Sequence, residues 1–126
     1  MNLLFDSTSS LSGALSFHRR RHAVLAGNVA NVDTPEYRPL DLERSVATKT
    51  AGGARTDSRH MKLSGSDGVS FYFDDADAPA TLDGNTVNLE RELAKVDANR
   101  VRYNTASRLV SKRLAALRYA ASDGMG

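Results

Sequence analysis

The chain contains no cysteine and no tryptophan, and aromatic residues fill only 6% of its 126 positions. The missing thiols exclude disulfide frameworks, cysteine metal sites and a cysteine nucleophile. The shortage of rings argues against a core built on aromatic packing. An excess of one charge is also lacking: 17 Lys and Arg against 15 Asp and Glu leave a net +2, short of the polycation expected of a nucleic-acid coat. Long apolar runs are absent too. Met1-Asn2-Leu3-Leu4-Phe5 has no basic flank and breaks at Asp6, so it does not read as a cleaved signal peptide. The uncharged stretches 7–17 and 23–32 fall short of the ~18 apolar residues that a membrane span needs. Direct membrane insertion is disfavoured.

The apolar residues that are present are concentrated at the two ends, the reverse of the usual loose, polar termini. From Leu11 they recur at alternating spacings of four and three: Leu11, Leu15, His18, His22, Leu25, Val29, Val32. That is one narrow stripe on a helix of roughly six turns, with N-cap candidates among residues 7–10. Pro35 forbids continuation, so the helix is expected to end near residues 31–33. The C-terminal region repeats the pattern at Leu89, Leu93, Val96, Arg100, Tyr103, Ser107, Val110, Leu114, Leu117 and Ala121. Asn88 is the expected N-cap, Glu90 and Glu92 suit the first turn, and Asp123-Gly124 is the expected stop. Some 33 residues at 1.5 Å each predict a rod of ~50 Å, longer than a small domain covers by itself.

Between the helices, glycines, serines, threonines and aspartates predominate, and only Val69 to Phe73 reads as a strand. The expected fold is mainly α: long N- and C-terminal helices pair as a coiled-coil-like unit around a loop-rich middle with at most a small β-hairpin. Three parts follow, 1–37, 38–86 and 87–126, the middle one partly disordered.

Candidate chemistry is sparse. His18 and His22 have metal-ligand spacing but flank Arg19-Arg20-Arg21, whose charge repels a cation, so they read as polar members of a helix seam. Asp74, Asp75, Asp77 and Asp83-Gly84-Asn85 suggest a calcium loop. Counting from Asp75, however, the sixth position is Ala80 and the twelfth is Thr86, against the glycine and glutamate of an EF-hand. No nucleophile elbow, phosphate loop or dinucleotide fingerprint occurs. The reading is therefore no enzyme, no cofactor and no metal. Residues 90–119 are locally basic through Arg91, Lys95, Arg100, Arg102, Arg108, Lys112, Arg113 and Arg118. They read as a solvated helix flank, with a binding module for nucleic acid or anionic membrane as the alternative.

The most distinctive string is Asn28-Val29-Ala30-Asn31 followed by Thr34-Pro35-Glu36-Tyr37. Physically it is a helix exit in which amides satisfy free carbonyls and Thr-Pro turns the chain. Residues 25–37 resemble the N-terminal signature of the bacterial flagellar axial proteins, the rod and hook components. Asp83-Gly84-Asn85-Thr86-Val87, Glu90-Arg91-Glu92, Arg102-Tyr103 and Leu117-Arg118 resemble the short proximal-rod members. Glu36 stands where that family usually carries glycine, and if the glycine has a positive φ, glutamate there is strained. Gly27, where serine is common, is a milder departure.

The resemblance implies a structural protein exported by the flagellar type III apparatus without cleavage and built into the rod that crosses the periplasm. Its implied partners are other rod subunits, basal-body components on the MS-ring and rod-adaptor side, and the export apparatus, with no nucleic acid. It further implies that Leu11, Leu15, Leu25, Val29 and Val32 pack on Leu89, Leu93, Val96, Tyr103, Val110, Leu114 and Leu117 of the same or a neighbouring subunit. Asn28, Asn31, Thr34, Pro35 and Tyr37 would fix the exit turn.

Overall fold

The computed structural model describes residues 2–44, 60–61, 68–75 and 81–123. Helix α1 spans Asn2–Ala30 and helix α2 spans Leu89–Asp123. Strands β1 (Leu40–Arg44), β2 (His60–Met61) and β3 (Val69–Phe73) lie between them. The mainly α fold is thus present. Asp77, Ala80 and most of the stretch expected to be disordered lie outside the described residues.

α1 starts well before the serines and threonine of positions 7–10, which lie inside it rather than capping it. Leu4 stands one heptad before Leu11, so the same stripe carries the helix through the polar segment. α2 begins as expected: the Asn88 side-chain carbonyl accepts the Arg91 N–H at 3.0 Å, and its backbone carbonyl accepts the Glu92 N–H at 2.9 Å. Glu90 and Glu92 occupy the first turn, where the dipole favours negative charge.

The two helices run antiparallel. Asn28 meets Glu92, His18 meets Asn99, and Leu11 shares a cleft with Leu109 and Arg113. At 1.5 Å per residue they extend ~43 and ~52 Å. The β element is a three-stranded antiparallel sheet in the order β1-β3-β2. Leu40 lies opposite Phe73, Asp41 opposite Tyr72, and Leu42 opposite Phe71, while Met61 also pairs with Phe71. β1 is fastened to α1 by a bidentate ion pair, both Arg21 to Asp41 contacts being 2.7 Å, and the Asp41 carboxylate also accepts the Leu42 N–H.

Among the described residues the buried apolar side chains are few: Leu25, Leu42, Ala106 and the ring of Pro39. Buried polar side chains outnumber them, namely Asn28, Asp41, Asn85, Glu92 and Asn99. Burying a leucine contributes about 2–3 kcal/mol. A set this small supplies little of what ordering two long helices costs.

Candidate functional site: the helix-exit clasp

The exit from α1 is built on Asn28, which is fully buried. Its amide group treats Leu40 as a neighbouring strand would: Oδ1 accepts the Leu40 N–H at 3.0 Å and Nδ2 donates to the Leu40 carbonyl at 2.7 Å. The remaining lone pair takes the Tyr37 hydroxyl at 3.3 Å, and the second amide hydrogen reaches Glu92 Oε2 at 2.7 Å. All four bonding positions of the amide are therefore used. One side chain joins the end of α1, the start of β1 and the first turn of α2.

Glu92 passes the connection on. Its other oxygen pairs with Lys95, which also pairs with Asp74 just past β3, and Arg91 reaches Asp74 at 2.8 Å. The sheet is thereby tied to α2 by charge as well as to α1. Ten residues back along α1, Asn99 clamps His18 twice: its amide donates to the His18 carbonyl at 2.8 Å, and its Oδ1 lies 2.8 Å from His18 Nδ1. The amide orientation fixed by the first bond assigns the proton of the second to Nδ1.

The turn itself is capped from the far half of the chain. Asn85, buried, points its amide at three carbonyls of the turn after α1, those of Asn31 (3.1 Å), Val32 (2.9 Å) and Thr34 (2.7 Å), the first and last of which also accept backbone N–H groups from Thr34 and Tyr37. Its Oδ1 accepts the Val87 N–H at 2.7 Å. Backbone bonds from Glu36 N–H to the Asp83 carbonyl and from Thr86 N–H to the Tyr37 carbonyl complete the clasp. Asn31 donates to the Gly27 carbonyl at 2.8 Å and accepts the Thr34 hydroxyl at 3.1 Å. Pro35 sits in the exposed loop of this turn. Residues 83–87 and 28–37, which carry the two halves of the resemblance, form one structure.

Glu36 has φ 59°, in the left-handed region where glycine is favoured. Its side chain lies across Gly84, itself at φ +76°: a Cβ built on Gly84 would stand 3.5 Å from Glu36 Cγ and 3.7 Å from its Cα. Around Gly27 a Cβ meets nothing within 4 Å, which fits the milder weight given to that position. Two titrations are displaced nearby. Burial, helped by the charges of Asp41 and Asp74, pushes the Tyr72 phenol up to about 12. The Thr81 hydroxyl and the Asn85 N–H hold the Asp83 carboxyl below its usual range.

The structure brings Asn28, Asn31, Thr34, Pro35 and Tyr37 together in the clasp. The apolar positions divide. On α1, Leu25 is buried and Leu11, Leu15, Val29 and Val32 are half-buried. On α2, Val96, Val110 and Leu117 are half-buried, but Leu89, Leu93, Tyr103 and Leu114 keep 38–47% of their surface exposed. The line of α2 that faces α1 is Glu92, Asn99, Ala106 and Arg113, a strict heptad rotated roughly 70° from the apolar stripe. His18 belongs to the seam and His22 is exposed. Among the described residues, no group of three or more His, Asp or Glu could hold a metal ion, and no helix is long and apolar enough to cross a membrane.

The sequence reading missed Asn85, Glu92, Asn99 and Asp41 as structural residues. A usable signal existed for two of them, since Glu92 and Asn99 stand seven apart and lead to Ala106.

No family model matches the chain. A relative from Aeromonas hydrophila, described as flagellar basal body rod protein FlgB, is 32% identical over 125 residues, spanning 93% of this chain and 94% of its own. The protein of the same description from Salmonella typhimurium is 31% identical over 114 residues, 80% of this chain and 82% of its own. That from Bacillus subtilis is 28% identical over 111 residues, 82% and 83% of the two chains. With the clasp joining both halves of the signature, and with relatives of this identity aligned along nearly the whole length, the chain belongs to the FlgB family of flagellar basal body rod proteins.

Proposed function

We propose that this chain is a structural, non-catalytic subunit of the flagellar rod that assembles with copies of itself and with other rod subunits through α1 and α2. The observation that carries this reading is the apolar stripe of α2. Leu89, Leu93, Tyr103 and Leu114 stand exposed on a helix whose intramolecular seam is made by Glu92, Asn99 and Ala106. Exposed leucines and a tyrosine spaced along one helix face form an interaction surface. In the rod so proposed, helices of neighbouring subunits complete one another's cores, form a layer around the export channel and transmit torque.

In the same reading the chain meets MS-ring and rod-adaptor components on one side and further rod proteins on the other. It reaches the periplasm through the flagellar type III apparatus without a cleaved signal. Folding is coupled to assembly: among the described residues few apolar groups are buried, which makes a free monomer marginally stable, and a weakly folded chain threads a narrow channel readily. Far-UV circular dichroism of the purified monomer tests this. The expected result is partial helicity that rises with concentration or added osmolyte. Cooperative melting of the full helical complement at micromolar concentration would refute coupled folding.

A further inference from the structure

We propose that a basic groove between α1 and α2 receives the acidic helix-exit turn of a second copy of this chain, so that Arg19, His22 and Arg100 of one copy meet Asp33 and Glu36 of the next. This rests on the rod-assembly reading and deepens it. The groove encloses about 320 Å³ near the middle of the helix pair and is lined by His18, Arg19, His22, Asn99, Arg100 and Tyr103. α1 contributes two imidazoles and a guanidinium, α2 contributes a guanidinium, an amide and a phenol, and among the described residues no carboxylate lines it.

Arg19, His22 and Arg100 are exposed and have no ion-pair partner among the described residues. Asp33 and Glu36 are likewise exposed and without an ion pair there. One chain therefore carries both halves of a charge-complementary contact. They do not meet within it: α1 continues eight residues, ~12 Å, past His22 before the turn begins, and the turn is held against residues 83–87. A contact between two different patches of identical copies is heterologous, the kind that builds rings or helical filaments. The recess suits a carboxylate on a protruding turn, which an arginine fork grips in its plane. A membrane presents a broad surface and is matched by cations on a convex face.

The absence of cysteine from the chain makes the test clean. Asp33→Cys and Arg100→Cys versions are co-expressed in cells that depend on this chain for swimming, and basal bodies are treated with a short bis-maleimide. A cross-linked dimer of the two versions is expected. Adding Arg19→Glu to the Arg100→Cys version replaces attraction by repulsion and lowers the yield about tenfold, and Glu36→Arg in the other copy restores it. A yield indifferent to Arg19→Glu overturns the proposal, as does cross-linking to a different basal-body protein in place of a second copy. So does binding of phosphatidylglycerol vesicles that Arg19→Glu abolishes while the cross-link is unchanged, an outcome that assigns the groove to lipid. Missing cross-links in cells that swim, with the chain present in their basal bodies, sink the groove contact alone. Absence of the unsubstituted chain from basal bodies sinks the rod reading itself.

Discussion

Replacing Glu36 by glycine should stabilise the folded chain, and the sign follows from two opposed quantities. Glu36 sits at φ 59°, and a residue with a Cβ held in the left-handed region costs roughly 1–2 kcal/mol. Glycine removes that cost but loosens the unfolded chain, which costs about 0.5–1 kcal/mol. The loss of Glu36 Cγ from its place over Gly84 is a minor contact of a few tenths of a kcal/mol. The net expectation is a gain of about 0.5 kcal/mol, roughly a twofold rise in the folded-to-unfolded ratio. On the coupled-folding reading the free chain is marginally stable, and such a change then shows directly as far-UV ellipticity, read across an osmolyte titration. Glu36→Ala is the control, because alanine keeps the Cβ and should leave the ratio nearly unchanged. A fall in helicity for Glu36→Gly, or an equal rise for Glu36→Ala, would show that the left-handed backbone is not the source of strain.

The remaining predictions concern the clasp, the sheet and the assembly surface. Asn28→Ala strands the Leu40 N–H and carbonyl and half of the Glu92 carboxylate in a buried place, costing about 3–5 kcal/mol; its helicity in osmolyte should stay far below that of the parent, and a parent-like titration would contradict the clasp. Tyr72, raised to about 12, favours its neutral form in the folded state. Its contribution is therefore complete below pH 10 and is lost as pH rises from about 10 to 12. With screening allowed for, the loss is about 1–2 kcal/mol; Tyr72→Phe should be less sensitive than the parent in that window, and identical alkaline curves would refute the assignment. Leu114→Asp places a charge on the exposed stripe, so swimming and incorporation into basal bodies should be lost while export continues; normal swimming would show that the stripe is not an assembly surface.

The exit of α1, the start of α2 and strand β3 could be read from the sequence because their signals are local. Pro35 stops a helix wherever it occurs, Asn88 precedes an acidic first turn, and Val69 to Phe73 is a dense β-forming run between turn residues. The start of α1 was misread because serine and threonine signal a cap only where the apolar stripe also stops, and Leu4 continues it. β1 was invisible for a different reason. Its buried members include Asp41, whose burial is compensated by Arg21 twenty positions earlier, and periodicity counts only apolar positions. Asn85 was equally hidden, since its three carbonyl partners lie more than fifty residues away. A polar side chain in the sequence looks solvated until its partner is known, and among the described residues most of the buried side chains are polar.

That polarity bears on why the apolar stripe and the seam are different faces of α2. Two helices joined by leucines alone can slide by one heptad with little loss, because each new register again sets apolar against apolar. Here a slide would separate Asn28 from Glu92 and His18 from Asn99, leaving buried donors and acceptors unmet at about 1–3 kcal/mol each. Buried polar pairs add little net stability, so they set the register without making the monomer strongly stable. On the assembly reading this division has a use. The hydrogen bonds fix one shape for the hairpin, while Leu89, Leu93, Tyr103 and Leu114 remain available to a neighbour. Were those side chains wholly buried against α1, the monomer would gain several kcal/mol of apolar burial and the surface for a neighbour would be lost. The test is a redesign that replaces both partners of one polar pair: His18→Leu with Asn99→Leu should preserve or raise the helicity of the isolated chain yet lower its incorporation into basal bodies, because a register-setting contact is exchanged for an apolar one. Preserved or improved folding together with undiminished incorporation would show that the polar seam has no part in assembly.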